Sequence, residues 1–213
     1  MTVARSLAGF HVTPRPGRWR RAVGAALAAL VAAGCTTLTP AQQRSAADVR
    51  AMASQTARVY GRPPIHFLVT HDPGGPPGSF REGFFAVSVF TLTSPFRDAI
   101  VSHELAHYVL GHAAPLPGGS LAEQARNYQQ RELDANAEAV RILVRVKGMS
   151  EEDALRAMYE YLAGVQRALD LYPSLELRGH LRPCDEIADL LGRFPAQRSW
   201  TALLECAPPA GGS

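Results

Sequence analysis

The stretch His103-Glu-Leu-Ala-His-Tyr-Val-Leu-Gly-His112 contains the pattern H-E-x-x-H in a setting typical of a helix. On a helix of about 3.6 residues per turn, His103 and His107 lie about 40° apart on one face, so both imidazoles can bind one metal ion with Glu104 beside it. In a chain of this composition, chance produces the pattern only about 0.01 times. The stretch therefore predicts a helix that carries a hydrolytic zinc site.

A catalytic zinc ion needs three protein ligands and an open position for water, so a third ligand must come from elsewhere. His112 lies nine residues after His103, about half a turn away on a straight helix, and is expected to end the helix or to bond locally. The metzincin class requires Gly and His where this chain has Leu110 and Ala113. That class of zinc enzyme is therefore excluded.

Glu132 is the best candidate for the third ligand. It lies in Arg131-Glu-Leu-Asp-Ala-Asn-Ala-Glu-Ala139, and a glutamate from a second helix packed across the first completes a His, His, Glu set. Asn136, one turn later on the same face, can hold one ligand from behind. Asp134 and Glu138 are alternative ligands in the same stretch. The expected cofactor is one Zn²⁺ ion per chain.

The remaining patterns predict an α+β arrangement. Strands are predicted at residues 65–70 and 84–90, with a loop rich in Gly and Pro at residues 72–79 between them. A first helix is predicted at residues 40–60, and a second from Pro95, capped by Ser94, to Gly111. A third runs from the capping box Ser120-Leu-Ala-Glu123 to Lys147. A fourth begins at Ser150 and carries the apolar stripe Leu155, Met158, Leu162, Val165 and Leu169, and two short helices are predicted at residues 184–191 and 200–206.

Residues 1–34 are predicted to be a targeting segment, because an apolar run at residues 22–34 is too short for an ordinary spanning helix. A basic region precedes this run, formed by Arg15, Arg18, Arg20 and Arg21. The run ends Val31-Ala-Ala-Gly-Cys35, which resembles the lipobox of bacterial lipoproteins. The resemblance implies cleavage before Cys35 and its acylation, with residues 35–60 as a lipid tether and N-terminal helix. A plain secretory signal with an incidental cysteine is the alternative.

Removal of residues 1–34 leaves 17 basic against 19 acidic side chains, a net charge of −2, so the basic balance of the whole chain does not indicate nucleic acid as a partner. The remaining 179 residues are enough for one domain with a single core. Cys184 and Cys206 are predicted to form a disulfide in an exported chain, with two buried thiols as the alternative. Thr36 follows the lipobox cysteine instead of aspartate, which favours the outer membrane if the organism is Gram-negative.

The motifs at residues 103–107 and 132–136 resemble those of known zinc enzymes. His103-Glu-Leu-Ala-His107 with Glu132-Leu-Asp-Ala-Asn136 is similar to the H-E-x-x-H and E-x-x-A-D pair of the HtpX and CAAX prenyl-endopeptidase family of gluzincin metallopeptidases. Asn136 replaces the family's aspartate. The second stretch is also similar to the E-x-E-A-N signature of the ImmA/IrrE metallopeptidases, in which Asn is expected and Asp134 stands in for the second Glu.

A third segment extends the resemblance to the HtpX-like family. His180 and Ile187 match its H-P-x-x-x-x-R-I pattern, whereas Leu181 and Glu186 replace the Pro and the Arg. The resemblance implies a zincin-like α+β fold of the minigluzincin type at residues 61–206, with a small sheet over the active-site helix and a helical C-terminal part. Residues 207–213 are expected to be a flexible tail.

These residues predict a mechanism of peptide hydrolysis. Glu104 is expected to take a proton from zinc-activated water, and His180 to donate a hydrogen bond to the oxyanion of the tetrahedral intermediate. The strand at residues 84–90 is expected to present an exposed edge to an extended peptide. His66 and His71 have no motif around them and are expected to be structural.

The expected protein is a lipid-anchored, periplasm-facing zinc endopeptidase of the bacterial cell envelope, whose partners are a protein or peptide substrate and the membrane. One alternative is a metal-binding assembly or chaperone factor without activity, although such a factor does not need Glu104 as a base. A latent protease, blocked by His180 or by the loop at residues 73–79, is another alternative. An ImmA/IrrE-like regulatory protease is the third.

Overall fold

The computed structural model of the protein describes residues 38–72, 75–113, 118–172, 181–196 and 206, all within one compact unit, residues 38–213. They form α1 (Pro40–Val59), β1 (His66–Thr70), β2 (Gly78–Arg81), β3 (Phe84–Ser88), a 3₁₀ turn (Thr91–Thr93), α2 (Arg97–Leu110), α3 (Leu121–Lys147), α4 (Glu151–Leu171) and α5 (Pro183–Arg193). The predicted α+β class is therefore confirmed.

Several predictions fall on residues outside those described. They are the targeting segment at residues 1–34, the acylated Cys35, the tail at residues 207–213, and the short helix at residues 200–206 except for Cys206. The other short C-terminal helix is α5, which extends beyond the predicted 184–191 at both ends, with Pro183 as its first residue and Arg193 as its last.

Local side-chain bonds fix the ends of the long helices as predicted. The Ser120 hydroxyl accepts a hydrogen bond from the Glu123 N–H, and the Glu123 carboxylate accepts one from the Ser120 N–H, which together form the capping box of α3. Gly148 ends this helix in the left-handed conformation (φ 70°), which glycine adopts without steric cost. Ser150 then caps α4 by accepting from the Asp153 N–H.

Helix α2 begins later than predicted. Ser94 does not cap it, because its hydroxyl accepts a hydrogen bond from the Phe96 N–H at 3.1 Å and closes a local turn. Phe96 is the residue at the helix boundary, and the first helical residue is Arg97 instead of Pro95. The predicted end at Gly111, in the left-handed conformation (φ 73°), is confirmed.

The sheet has the order β1-β3-β2, so β3 is the central strand. It pairs in parallel with β1, with Phe84 opposite His66, and antiparallel with β2, with Val87 opposite Gly78. The prediction that the strand at residues 84–90 presents its edge to a peptide is therefore wrong, because β3 is paired on both sides. Part of the predicted loop, Gly78 and Ser79, belongs to β2, which is the edge strand next to α2.

The core is built from all five helices and the inner strand. Helix α1 packs into it through Val49, Met52 and Ala53. The predicted stripe of α4 is buried at Leu155, Met158 and Leu162, while Val165 and Leu169 are half-buried. None of the helices in the described part of the chain is long and apolar enough to cross a bilayer.

Cys206 lies close to the first turn of α5. Cys184 in the first turn of α5 and Cys206 are at disulfide distance, with Cα atoms 5.2 Å apart. This spacing lies within the range that a disulfide requires.

Candidate metal centre

Three side chains with metal-binding atoms converge where α2 packs against α3. His103 Nε2 lies 3.2 Å from one carboxylate oxygen of Glu132, and His107 Nε2 lies 3.4 Å from the other. The two Nε2 atoms are 3.1 Å apart. All three ligand atoms lie within 4.8 Å of one another, and no other such group of three occurs in the described ranges. The structure thus brings together the three ligands predicted from the sequence.

The two alternative ligands are engaged elsewhere. Asp134 accepts a hydrogen bond from the Arg193 guanidinium at 2.8 Å. Glu138 accepts one from the Tyr60 hydroxyl at 2.7 Å and one from Arg141 at 2.9 Å. Neither carboxylate belongs to the converging group. Glu132 is therefore the third member of the site.

The two imidazoles and the carboxylate of the group interact strongly with one another, which shifts the pKa of each. Burial alone would raise the pKa of Glu132, but hydrogen bonds from His103 and His107 lower it well below its usual range. Burial likewise would lower the pKa of His103, but its bond to Glu132 and the charge of Glu104 raise it to about 9. Two imidazoles and one carboxylate are a donor set that fits Zn²⁺.

Asn136 holds His103 from behind, as predicted. Its side-chain oxygen lies 2.9 Å from His103 Nδ1, and because an amide oxygen only accepts, the hydrogen atom is on Nδ1. Nε2, which hydrogen-bonds to Glu132, is then the ring atom that can give up its proton and bind a metal ion. Asn136 is fully buried, and its amide nitrogen donates to Glu186 at 3.0 Å.

His112 plays the corresponding part for His107. The Nδ1 atoms of the two rings lie 2.9 Å apart, which confirms the predicted local bond. Burial, together with the charges of His107 and Arg131, lowers the pKa of His112 to about 4, so its neutral ring can accept the bond. Arg131 in turn donates to the backbone carbonyl of His112 at 2.9 Å. Both histidines of the site are therefore oriented by a second side chain.

Glu104 is held between the site and the sheet edge. A Cβ atom added to Gly78 of β2 would lie 2.7 Å from Cγ and from one carboxylate oxygen of Glu104, so only glycine allows this close approach. Burial raises the pKa of Glu104 to about 7, with a further rise from Glu132 and an opposing effect of His103. A carboxylate with a pKa near neutrality is suited to act as a general base.

A cleft of about 290 Å³ opens over the converging group. Residues of β2 and the segment before it form one wall, and side chains of α2 and α3 form the other. The lining consists of Pro76, Gly78, Ser79, Phe80, His103, Glu104, His107, His112, Tyr128, Arg131 and Glu132. The cleft therefore joins a sheet edge, three side chains positioned to bind a metal ion and the buried carboxyl group of Glu104.

The structure adds two residues that were not singled out as parts of the site. Tyr128 lies one turn before Glu132, and burial together with the charge of and hydrogen bond to Glu132 raises its pKa to about 12. Its spacing of four residues from Glu132 on α3 is a signal that could have found it. Glu186, noted only as a departure from the HtpX-like pattern, is buried and bonded to Asn136.

Other predicted residues are not part of the described site. His180 lies outside the described residues. His66 and His71 are exposed and do not line the cleft. Comparisons of this chain with protein-family models, with curated proteins and with solved structures find no match. Its function must therefore be inferred from the site itself.

Proposed function

We propose that the protein is a zinc endopeptidase with a zincin-like, gluzincin-type active site. The observation that carries this proposal is the convergence of His103, His107 and Glu132 within 4.8 Å of one another. Glu104 lies beside them, buried and with a raised pKa. A metal-binding group with an adjacent base at the wall of a cleft is the arrangement that metal-assisted hydrolysis requires.

The residues divide the chemistry between binding and proton transfer. His103, His107 and Glu132 would hold the ion, which when bound supplies a Lewis acid that polarises a carbonyl and lowers the pKa of water to about 7. Glu104 accepts a proton from the attacking water and delivers it to the leaving amine. The C–N bond breaks, and the water oxygen ends in the new carboxylate.

The exposed edge of β2 is the proposed binding site for the substrate backbone. An extended peptide that pairs with β2 would pass directly over Glu104, because Gly78 of that strand contacts the Glu104 side chain. Backbone pairing of this kind selects extended chains rather than a particular sequence, so the substrate class is an unfolded or extended protein segment. Tyr128, which lines the cleft, and His180, expected from the HtpX-like resemblance, are the proposed hydrogen-bond donors to the oxyanion.

The proposed location is the bacterial cell envelope, with a lipid anchor at Cys35 facing the periplasm. The lipobox-like sequence before Cys35 supports this proposal. Replacement of Cys35 by Ala should abolish incorporation of radiolabelled fatty acid and release the protein from membranes. Unchanged labelling in the variant would contradict the lipid anchor without affecting the proposed chemistry.

Metal content and peptide hydrolysis, measured on the chain from Thr36 onwards, test the proposal. The parent should bind about one zinc per chain and cleave unfolded casein. Glu104→Gln should keep the zinc and lose cleavage, because Gln keeps the shape of the side chain but not its basicity. Glu132→Ala should lose the zinc. Glu138→Gln, on the same helix but bonded to Tyr60, is the matched control and should keep both.

Each contrary result points to a specific error. If Glu132→Ala keeps full zinc, the third ligand is wrong. If Glu104→Gln cleaves as fast as the parent, the assigned base is wrong. A parent that binds zinc but cleaves no peptide would favour the metal-binding assembly factor over the protease.

A further inference from the structure

Glu186 is a buried carboxylate that the proposed chemistry does not use. It is only 6 % exposed, on α5, and it accepts a hydrogen bond from the amide nitrogen of Asn136 at 3.0 Å. The amide oxygen of Asn136 lies 2.9 Å from His103 Nδ1. A continuous line of hydrogen bonds therefore leads from a metal-binding imidazole on α2, through α3, to a buried acid on α5.

The direction of these bonds follows from the chemistry of the groups. Oε2 of Glu186 accepts the hydrogen bond, so the NH₂ group of Asn136 faces Glu186. The amide oxygen of Asn136 must then face His103, which places the hydrogen atom on Nδ1 of the ring. Nε2 is left as the atom that binds a metal ion once the proton that it shares with Glu132 is released.

Without an acceptor at position 186 this order is not fixed. An asparagine amide can rotate by half a turn at little steric cost, because its oxygen and nitrogen atoms are similar in size. A rotated Asn136 would present its NH₂ group to His103 Nδ1. That arrangement favours the ring tautomer with hydrogen on Nε2, which cannot bind a metal ion through Nε2.

We propose that Glu186 is a positioning residue of the metal centre, which sets the orientation of Asn136 and thereby the tautomer and the ring position of His103. The inference rests on the metal site of the proposed function. It assigns a role to the residue that replaces the arginine expected at this position from the HtpX-like pattern.

The proposal predicts that the two side chains can exchange roles. Asn136→Asp alone places a second carboxyl group about 3 Å from that of Glu186, where the two repel each other if both are ionised. Glu186→Gln alone can both donate and accept, so it no longer dictates the orientation of Asn136. In the double variant Asn136→Asp with Glu186→Gln, the amide of residue 186 donates to Asp, and the Asp oxygen accepts from His103 Nδ1.

The test is the zinc dissociation constant of the full-length protein, measured by competition with a chromophoric chelator. Glu186→Gln and Asn136→Asp should each weaken zinc binding by about 10-fold or more, the range seen for residues that orient metal ligands. The double variant should return to within about threefold of the parent. Asp185→Asn is the matched control, because it removes a carboxylate from an exposed position of the same helix turn and should leave zinc affinity unchanged.

The outcomes separate this inference from the proposed function. Glu186→Gln with parental zinc affinity, or a double variant no better than the weaker single variant, would overturn the positioning role alone. A parent protein that binds no zinc would overturn the metal centre and the positioning role together. Thermal unfolding of the metal-free variants checks that each one folds, and Glu186→Ala shows the effect of removing the acceptor completely.

Discussion

His107 and His112 face each other at the end of α2, with their Nδ1 atoms 2.9 Å apart. On a straight helix the side chain at position 112 would lie far round the axis from the site. Gly111 changes this geometry, because its left-handed conformation ends the helix and turns the chain. The His112 N–H donates to the backbone carbonyl of His107 at 2.9 Å, which brings its ring back to the ligand face.

Replacement of His112 by Ala is therefore expected to weaken zinc binding by about 10-fold, because His107 loses the acceptor that orients its ring. Chelator competition measures the change. His66→Ala is the control, since that histidine is exposed and does not line the cleft. Equal zinc affinity of the His112 variant and the parent would show that His107 needs no such partner.

Gly78→Ala is expected to lower kcat/KM by about 100-fold while zinc content stays near that of the parent. The added Cβ would lie 2.7 Å from the Glu104 carboxylate, so the base must move from its place, and small displacements of catalytic groups have effects of this size. Gly118→Ala is the matched control, because its Cβ would meet open space. Parental activity of Gly78→Ala would mean that the position of Glu104 relative to β2 is unimportant.

Asp98 should make the stability of the fold depend on acid pH. Burial raises the pKa of Asp98, but hydrogen bonds from Arg97 and Lys147 outweigh that effect and lower it. A folded-state pKa below the unfolded value of about 4 means that the stabilisation is fully present above pH 4 and is lost as the pH falls through the folded-state value.

Asp98→Asn is accordingly expected to cost about 0.5–1 kcal/mol of unfolding free energy at pH 7, and the difference from the parent should shrink below pH 4. Urea unfolding at several pH values measures it. Asp48→Asn, which removes a more exposed partner of Arg97 at 3.8 Å, is the control and should have a smaller effect. A difference for Asp98→Asn that is constant from pH 7 to pH 3 would be incompatible with this assignment.

Cys184 and Cys206 are expected to form a disulfide, since their Cα atoms are 5.2 Å apart. The bridge closes a separation of 22 residues, which is worth about 3 kcal/mol in the chain-entropy description. Thiol titration of denatured, unreduced protein carrying Cys35→Ala should find no free thiol, and Cys206→Ser should lower the midpoint of thermal unfolding. Two free thiols per chain would rule out the disulfide.

The sequence predicted those parts of the structure that local chemistry determines. The capping box of Ser120 and Glu123 and the left-handed Gly148 depend on residues close together in the chain, and both are in the predicted places. The ligand pair His103 and His107 follows from helix periodicity alone. Glu132 was the best of three candidates, and only the structure decides between it, Asp134 and Glu138.

What the sequence did not predict depends on contacts between distant residues. Gly78 and Ser79 have the composition of a loop, and they become part of a strand only through pairing with Val87 and Ala86 of β3. The central place of β3 follows from that same pairing. Glu186 has no local motif, and its burial against Asn136, 50 residues earlier in the chain, became visible only in the structure.

The line from His103 through Asn136 to Glu186 also sets an order in time. His103 and Asn136 are 33 residues apart, and Glu186 follows 50 residues after Asn136. A nascent chain that ends at Lys147 contains the three candidate ligands but lacks α5, the helix that carries Glu186. On the proposed role of Glu186, the metal site reaches its full affinity only after α5 has been synthesised and has packed against Asn136, so a shorter nascent chain would bind the ion weakly.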